Sequence, residues 1–328
     1  MPSPRLRFGV LGAADIALRR TVPALLAHPD VTVVAVSSRD TARAARFAAA
    51  FGCEAVPGHQ ALLDRDDIDA LYVPLPVMVH TPWVEAALLR GRHVLVEKPL
   101  TATRSGAEDL IALARSRGLV LMENFTSLHH AQHGTVTDLL RDGTIGELRS
   151  LSAAFTIPPK PEGDIRYQPD VGGGALLDIG IYPLRAALHF LGPDLHAAGA
   201  VLRRERRRNV VVSGHVLLTT PHGVVAELAF GMEHAYRSEY TLFGTAGRLR
   251  LDRAFTPPET HRPRVEIHRQ DALDIVDLPP DAQFANLVRD FVLAVREGPG
   301  RLTQHHADAV RQADLVERVM AVARVRWC

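Results

Sequence analysis

The stretch Arg7-Phe-Gly-Val-Leu-Gly-Ala-Ala-Asp-Ile-Ala17 reads as a short buried strand that ends in glycine and turns straight into a helix. The helix runs on to Ala27, with Ile16, Leu18, Val22, Leu25 and Leu26 at helical spacing. The same unit then repeats. Residues 31–36 form a β-branched strand, Thr41–Phe51 an Ala-rich helix stopped by Gly52, and 70–73 a third strand. A helix over 83–89 leads to a strand over 93–96, and a helix over 105–115 leads to a strand over 119–122. Such β-α units in series predict a parallel, doubly wound sheet over residues 1–123.

Beyond residue 123 the pattern changes. A helix over 132–141, a strand over 148–155, a Pro/Gly-rich loop from Pro158 to Gly174 and a helix over 175–191 come first. Strands follow over 198–205, 210–220, 224–232, 239–243, 248–251 and 265–268, with Pro221-His-Gly223 and Gly244-Thr-Ala-Gly247 as hairpin connections. Helices over 283–296 and 306–324 close the chain. The expectation is a second α+β domain, 124–328, with a large, open, mainly antiparallel sheet.

Composition narrows the function classes. The chain has 328 residues, 38 Lys+Arg against 37 Asp+Glu, and a net charge of +1, which argues against a dedicated nucleic-acid binder. Its 47% apolar and 23% charged content is globular, and the length suits two domains. Cys53 and Cys328 cannot build a disulfide framework, and neither a signal peptide nor a long apolar run is visible. A cytoplasmic protein is expected. Only Lys98 and Lys160 are lysines, so 36 of the 38 cations are arginine (38 − 2). GC-rich coding accounts for most of that bias, yet a lysine that persists in such a chain stands out.

Gly12-Ala-Ala-Asp-Ile-Ala17 lies where a dinucleotide fingerprint belongs, although Ala14 and Ala17 replace its second and third glycines. Gly12, Ala14, Asp15 and Ile16 are therefore cofactor-binding candidates in a Rossmann domain. An NAD enzyme usually presents an acidic residue after the second strand. Here Ser37-Ser38-Arg39 stands there, with Arg43 one turn on, and these donors suit the 2′-phosphate of NADP(H). Asp40 fits a helix start better than a ribose contact. Pro74, Leu75 and His80 follow the next strand and would wall a nicotinamide pocket.

Val96-Glu-Lys-Pro-Leu100 ends a parallel strand, so Glu97 and Lys98 should reach the crevice where ligands of doubly wound sheets sit. In Gly172-Gly-Gly-Ala-Leu-Leu-Asp-Ile-Gly-Ile-Tyr182, Asp178 and Tyr182 share a helix face, and the glycines would let the chain pass close to a ligand. Tyr182 beside an ammonium could exchange a proton. It could equally be an aromatic of the core, with Asp178 a plain helix-face carboxylate. His129, His130 and His133 include an i,i+4 pair but lack an acidic or thiol partner, so no metal site is expected. Arg203–Arg208 reads as a solvated turn.

Together GVLGAADIA, VEKP and GGGALLDIG resemble the glucose-fructose oxidoreductase / inositol dehydrogenase / MocA superfamily. Tyr182 stands where many members have histidine, as in the NADP-linked dihydrodiol and xylose dehydrogenases. LMENFTSLHHAQH, FTIPPKPEGDIRYQPDVGGGALLDIGIYP, GMEHAY and FTPP are similar to the actinomycete NDP-hexose C-3 ketoreductases of deoxysugar biosynthesis. That resemblance implies NADPH-dependent reduction of the C-3 ketone of a dTDP-linked 3,4-diketo-2,6-dideoxyhexose. It implies Lys98, Tyr182 and Asp178 as catalytic residues, with the proton coming from Lys98 or Tyr182. Lys160, Arg166, His129, Tyr236 and Arg237 would join Tyr182 in binding substrate, three of them as cations for the diphosphate. It also implies a homodimer or homotetramer through the antiparallel sheet, with terminal helices able to pack on the nucleotide domain. An NADP-dependent dehydrogenase of a free sugar or trans-dihydrodiol is the alternative, and an NADP-sensing regulator a third reading.

Overall fold

The computed structural model describes residues 4–328. The chain divides into two compact units, residues 4–126 with Phe284–Ala309, and Ser127–Gln283 with Val310–Cys328. The first unit is built on six parallel strands: β1 (Leu6–Leu11), β2 (Val31–Ser38), β3 (Glu54–Pro57), β4 (Ala70–Val73), β5 (His93–Glu97) and β6 (Leu121–Asn124). Their order is β3-β2-β1-β4-β5-β6. Phe8, Val10, Tyr72 and Leu95 are fully buried, as strands covered on both faces must be. Helix Gln283–Glu297 adds Leu287, Val288, Phe291 and Val292 to this core, with the Phe8 and Phe291 rings 5.5 Å apart.

The first helix is less regular than its apolar spacing suggests. Residues Ala17–Thr21 form a π-helical turn in which the Val22 N–H bonds to the Ala17 carbonyl, and an α-helix Val22–Ala27 follows. The cause is Pro23, which has no N–H and would crowd the preceding turn of a regular helix. Leu176–Gly180 is likewise a π turn ahead of helix Ile181–Leu191, where Pro183 stands in the first turn.

The second unit holds nine strands: β7 (Leu148–Thr156), β8 (His196–Glu205), β9 (Val210–Thr219), β10 (Val225–Gly231), β11 (Arg237–Gly244), β12 (Arg248–Asp252), β13 (Arg264–Arg269), β14 (Ala272–Asp277) and β15 (Ala323–Trp327). They run in the order β14-β13-β12-β11-β7-β10-β9-β8-β15. The β7/β10 and β8/β15 pairs are parallel and the others antiparallel. Alternation separates two faces. Leu151, Ala153, Phe155, Leu228, Phe230 and Tyr240 are buried on the face that carries helix Ile181–Leu191. Ser152, Ala154, Glu227 and Arg237 point to the other.

Three strands escape the sequence reading. β3 has one buried residue, Val56, and β14 has none, so neither carries a period-2 signal. β15 begins inside the helix expected over 306–324. The helix instead stops at Val322, and Ala323–Trp327 pairs with β8, whose edge supplies hydrogen bonds that no local pattern reveals. Among the described residues no helix is long and apolar enough to cross a membrane.

Candidate functional site

In the first unit the strand order reverses between β1 and β4, the place where doubly wound sheets bind ligands beyond their strand ends. Gly12 follows β1 with φ +129°, and a Cβ there would lie 2.9 Å from Leu75 Cδ2. The sequence thus brings two candidates, Gly12 and Leu75, into contact where backbone must stay bare for a diphosphate. Ala14 and Ile16 are half-buried beside them, and exposed Asp15 pairs with Arg43 at 3.6 Å.

Past β2 the donors divide. The Ser37 hydroxyl is buried 2.9 Å from His59 Nδ1, so it serves the protein interior and the expected phosphate contact is corrected. Burial, then Arg39, pulls the His59 ring below its usual pKa, keeping it neutral for that bond. Ser38 Oγ accepts the Asp40 N–H at 3.1 Å, and Asp40 caps helix Thr41–Phe51 by accepting the Arg43 N–H at 3.0 Å. Arg39 is exposed and has no ion pair among the described residues, leaving it the cation for a 2′-phosphate. These residues fit a dinucleotide.

His80 was expected in the pocket wall. It is fully buried, with Nε2 2.7 Å from the Leu75 carbonyl and Nδ1 3.0 Å from that of Pro99, so it ties the turn after β4 to the turn after β5. Burial lowers its pKa and the carbonyls oppose the shift. The Leu100 N–H donates to buried Glu123 Oε1 at 2.9 Å, fixing the same turn from the β6 side. Pro74 is buried in the first turn, and half-buried Lys98 stands at the head of the second, after β5. Glu97 directs its carboxylate inward, accepting from Tyr72 at 2.7 Å and Asn124 at 2.5 Å.

In the second unit Gly172 has a different task from the one its sequence suggests. A Cβ there would sit 2.3 Å from the Ile165 carbonyl oxygen, so the glycine admits the chain's own Ile165–Arg166 turn. That turn presents Arg166 to Asp178, with Nε 2.5 Å from Oδ2, while Nη1 lies 3.1 Å from Asp164 Oδ1. Asp178 first, then Asp164, raises the Arg166 pKa. Arg166 and Asp178, assigned separate roles by sequence, form one ion pair, and the guanidinium charge is largely matched. Lys160 is half-buried, its backbone N–H 3.3 Å from the Tyr167 hydroxyl, and its ammonium has no carboxylate partner among the described residues.

Tyr182 is half-buried with its ring edge-on to Phe155 at 5.0 Å and tilted against Phe255 at 5.8 Å. Exposed Tyr236 meets Phe155 at 6.4 Å, and the Arg253 guanidinium lies 4.9 Å from the Tyr236 ring centroid. Phe155 and Phe255 lie in FTIPP and FTPP, and the recurring Phe-Thr ahead of paired prolines is the sequence signal for these two further site residues. Arg237 is next to Tyr236 in sequence yet points to the opposite face of the sheet, where it pairs with Glu239 at 2.5 Å. Strand alternation therefore removes it from the substrate candidates. Half-buried His129 ends a 3-10 turn, His130 accepts the Gln132 N–H as a helix cap, and His133 is buried against the Tyr240 hydroxyl at 3.0 Å. Burial drives the His133 pKa down to about 3. Within Arg203–Arg208, Glu205 accepts from the Arg207 and Arg208 N–H groups, closing the turn.

Known proteins agree with this architecture. Residues 6–125 match the oxidoreductase family with an NAD-binding Rossmann fold, and residues 133–250 match the GFO/IDH/MocA C-terminal domain. A protein of Actinomadura kijaniata named dTDP-3,4-didehydro-2,6-dideoxy-alpha-D-glucose 3-reductase is 57% identical over 319 residues, covering 97% of this chain and 96% of that one. A protein of the same name from Streptomyces violaceoruber is 49% identical, covering 98% and 96%. The crystal structure of KijD10, a 3-ketoreductase from A. kijaniata in complex with NADP and TDP-benzene, superposes with a TM-score of 0.97 at 56% identity, covering 99% of each chain. The two family matches follow one another along the chain, and this chain belongs to the GFO/IDH/MocA family of oxidoreductases.

Proposed function

We propose that this chain uses NADPH to reduce the C-3 ketone of a dTDP-linked 3,4-diketo-2,6-dideoxyhexose in the cytoplasm. The observation that carries the reading is Lys98, one of two lysines in the chain, at the end of β5 on a turn held by His80 and Glu123. The names of the 57% and 49% identical relatives, and the TDP compound bound to KijD10, support the substrate class.

NADPH, when bound, supplies the hydride. The Gly12 turn and Leu75 would hold its diphosphate side, and Arg39 its 2′-phosphate. Hydride addition to C-3 leaves an oxyanion on the sugar. Lys98 stabilises that charge, and its compact ammonium can also give up a proton, which a guanidinium cannot. Lys98 or Tyr182 delivers the proton, completing the secondary alcohol. Asp178 holds Arg166 at the substrate end, Lys160 faces the diphosphate, and Tyr236 with Phe155 offers stacking surface. We further propose a homodimer or homotetramer built on the face of the second sheet opposite helix Ile181–Leu191. That face has a hollow of about 750 Å³ lined by small residues such as Ser152, Ala154 and Ala229, with Val201 and Leu217 exposed beside it.

Calorimetric titration with dTDP tests the substrate class: measurable binding supports it, and none favours a free-sugar or dihydrodiol dehydrogenase. Lys98→Ala should lose most of kcat with the fold intact; near-wild-type turnover removes the assigned role. Light scattering of Leu217→Glu should show smaller particles than wild type if the open face is the interface.

A further inference from the structure

Four buried side chains behind the Lys98 turn form a closed ring. Thr21 ends the π turn after the Gly12 loop, Tyr72 lies in β4, Glu97 closes β5 and Asn124 closes β6. Each is less than a tenth exposed. The Tyr72 hydroxyl is 2.7 Å from Glu97 Oε1 and 3.0 Å from Thr21 Oγ1. Asn124 Nδ2 is 2.5 Å from the same Glu97 oxygen and 3.2 Å from Thr21 Oγ1.

The hydrogens of this ring can be counted. The Asn124 amide donates one N–H to Glu97 and the other to Thr21. The single Thr21 proton then goes to the Tyr72 oxygen, and the single Tyr72 proton to Glu97 Oε1. Every donor is used, and Oε1 accepts twice. The other oxygen, Oε2, faces the Lys98 N–H at 3.4 Å, where a proton of its own would meet a donor. This use of the donors requires Glu97 as an anion, and it leaves the buried Asn124 Oδ1 without a hydrogen-bond partner.

Burial raises the Glu97 pKa, while Tyr72, Asn124 and the Lys98 charge act against it. The other titratable groups at these strand ends include Glu123, bonded to the Leu100 N–H, His80, bonded to carbonyls, and His305, whose Nε2 accepts the Glu123 N–H at 2.9 Å. A buried carboxylate one residue from an ammonium is a strong local influence, because low dielectric screens it poorly. We infer that Thr21, Tyr72 and Asn124 are positioning residues that hold Glu97 as a buried anion beside Lys98, and that this anion keeps Lys98 protonated for ketone reduction. The inference rests on the role proposed for Lys98.

The test is the pH profile of kcat, followed by NADPH absorbance with a dTDP-linked 3-keto sugar generated in situ. Tyr72→Phe keeps the buried ring and removes one donor from Glu97. Without that donor the Glu97 carboxylate is no longer held in place, its field at Lys98 weakens, and the ammonium deprotonates at lower pH. The alkaline limb should move down by about one pH unit, with NADPH affinity unchanged. Thr21→Val, which removes the donor to Tyr72 and the acceptor for Asn124, should move it the same way. In a Glu97→Gln background Tyr72→Phe should add no shift, since it acts only through Glu97. A wild-type limb in folded, NADPH-binding Tyr72→Phe or Thr21→Val overturns the inference. The two readings part at Lys98→Ala: an active Lys98→Ala removes the role proposed above for Lys98, whereas an inactive one with an unmoved Tyr72→Phe limb removes this inference alone.

Discussion

Gly172→Ala is the substitution whose consequence the geometry specifies most closely. The added Cβ would lie 2.3 Å from the Ile165 oxygen, 2.8 Å from the Ile165 carbonyl carbon and 3.0 Å from Arg166 Cα. All three are backbone atoms, so no rotamer change relieves the clash. Restoring ordinary contact at about 3.4 Å requires the Ile165–Arg166 turn to retreat by roughly 1 Å. Overpacking of this kind costs about 1–3 kcal/mol. The same displacement would stretch the 2.5 Å Arg166–Asp178 bond to the edge of hydrogen-bonding range. A misplacement of that size near a reacting group can cost up to about 10²-fold in rate. Three measurements check this: thermal unfolding, kcat with the dTDP-linked sugar, and NADPH affinity. Lower Tm and kcat with unchanged NADPH affinity are expected, since Gly172 belongs to the second unit. Gly134→Ala is the control, because a Cβ at that helical position meets nothing within 4 Å. It should stabilise by about 0.5–1 kcal/mol. A Gly172→Ala protein that matches wild type in Tm and kcat refutes the reasoning.

Two further predictions concern the nucleotide-binding unit. Arg39→Ala should weaken NADPH by about 10–100-fold, the worth of one or two charge-assisted hydrogen bonds, and leave NADH nearly unaffected; equal losses for both cofactors would place the 2′-phosphate elsewhere. The Asp69 carboxylate is held below its usual pKa, chiefly by the Arg7 side chain that it meets at 2.8 and 3.0 Å. Its contribution is therefore fully present above the unfolded value near ~3.9 and lost as pH falls through the lower folded value. Asp69→Asn should lower Tm at neutral pH and flatten the fall in Tm under acid; an unchanged acid limb would mean that other carboxylates dominate.

Much of this molecule is legible in one dimension. The period of strand and helix from Arg7 to Met122 already specifies a parallel sheet, because strands buried on both faces are continuous apolar runs and their helices carry a 3.6-residue stripe. Asp40 as a helix cap and Lys98 at a strand end follow from local chemistry and from the rule that ligands sit beyond strand ends. Tertiary structure decided everything that depends on which way a side chain turns and what meets it. Ser37 and His80 have the right residue types for a cofactor site, yet His59 and the carbonyls of Leu75 and Pro99 claim them. Arg237 is lost to strand alternation, and Arg166 and Asp178, twelve residues apart, become one ion pair only because Gly172 lets two backbone segments touch. The ring of Thr21, Tyr72, Glu97 and Asn124 draws on residues up to 103 positions apart, with no spacing to betray it. Local sequence determines propensity and period, whereas hydrogen-bond pairing between distant residues is settled only when packing brings donors and acceptors within about 3 Å.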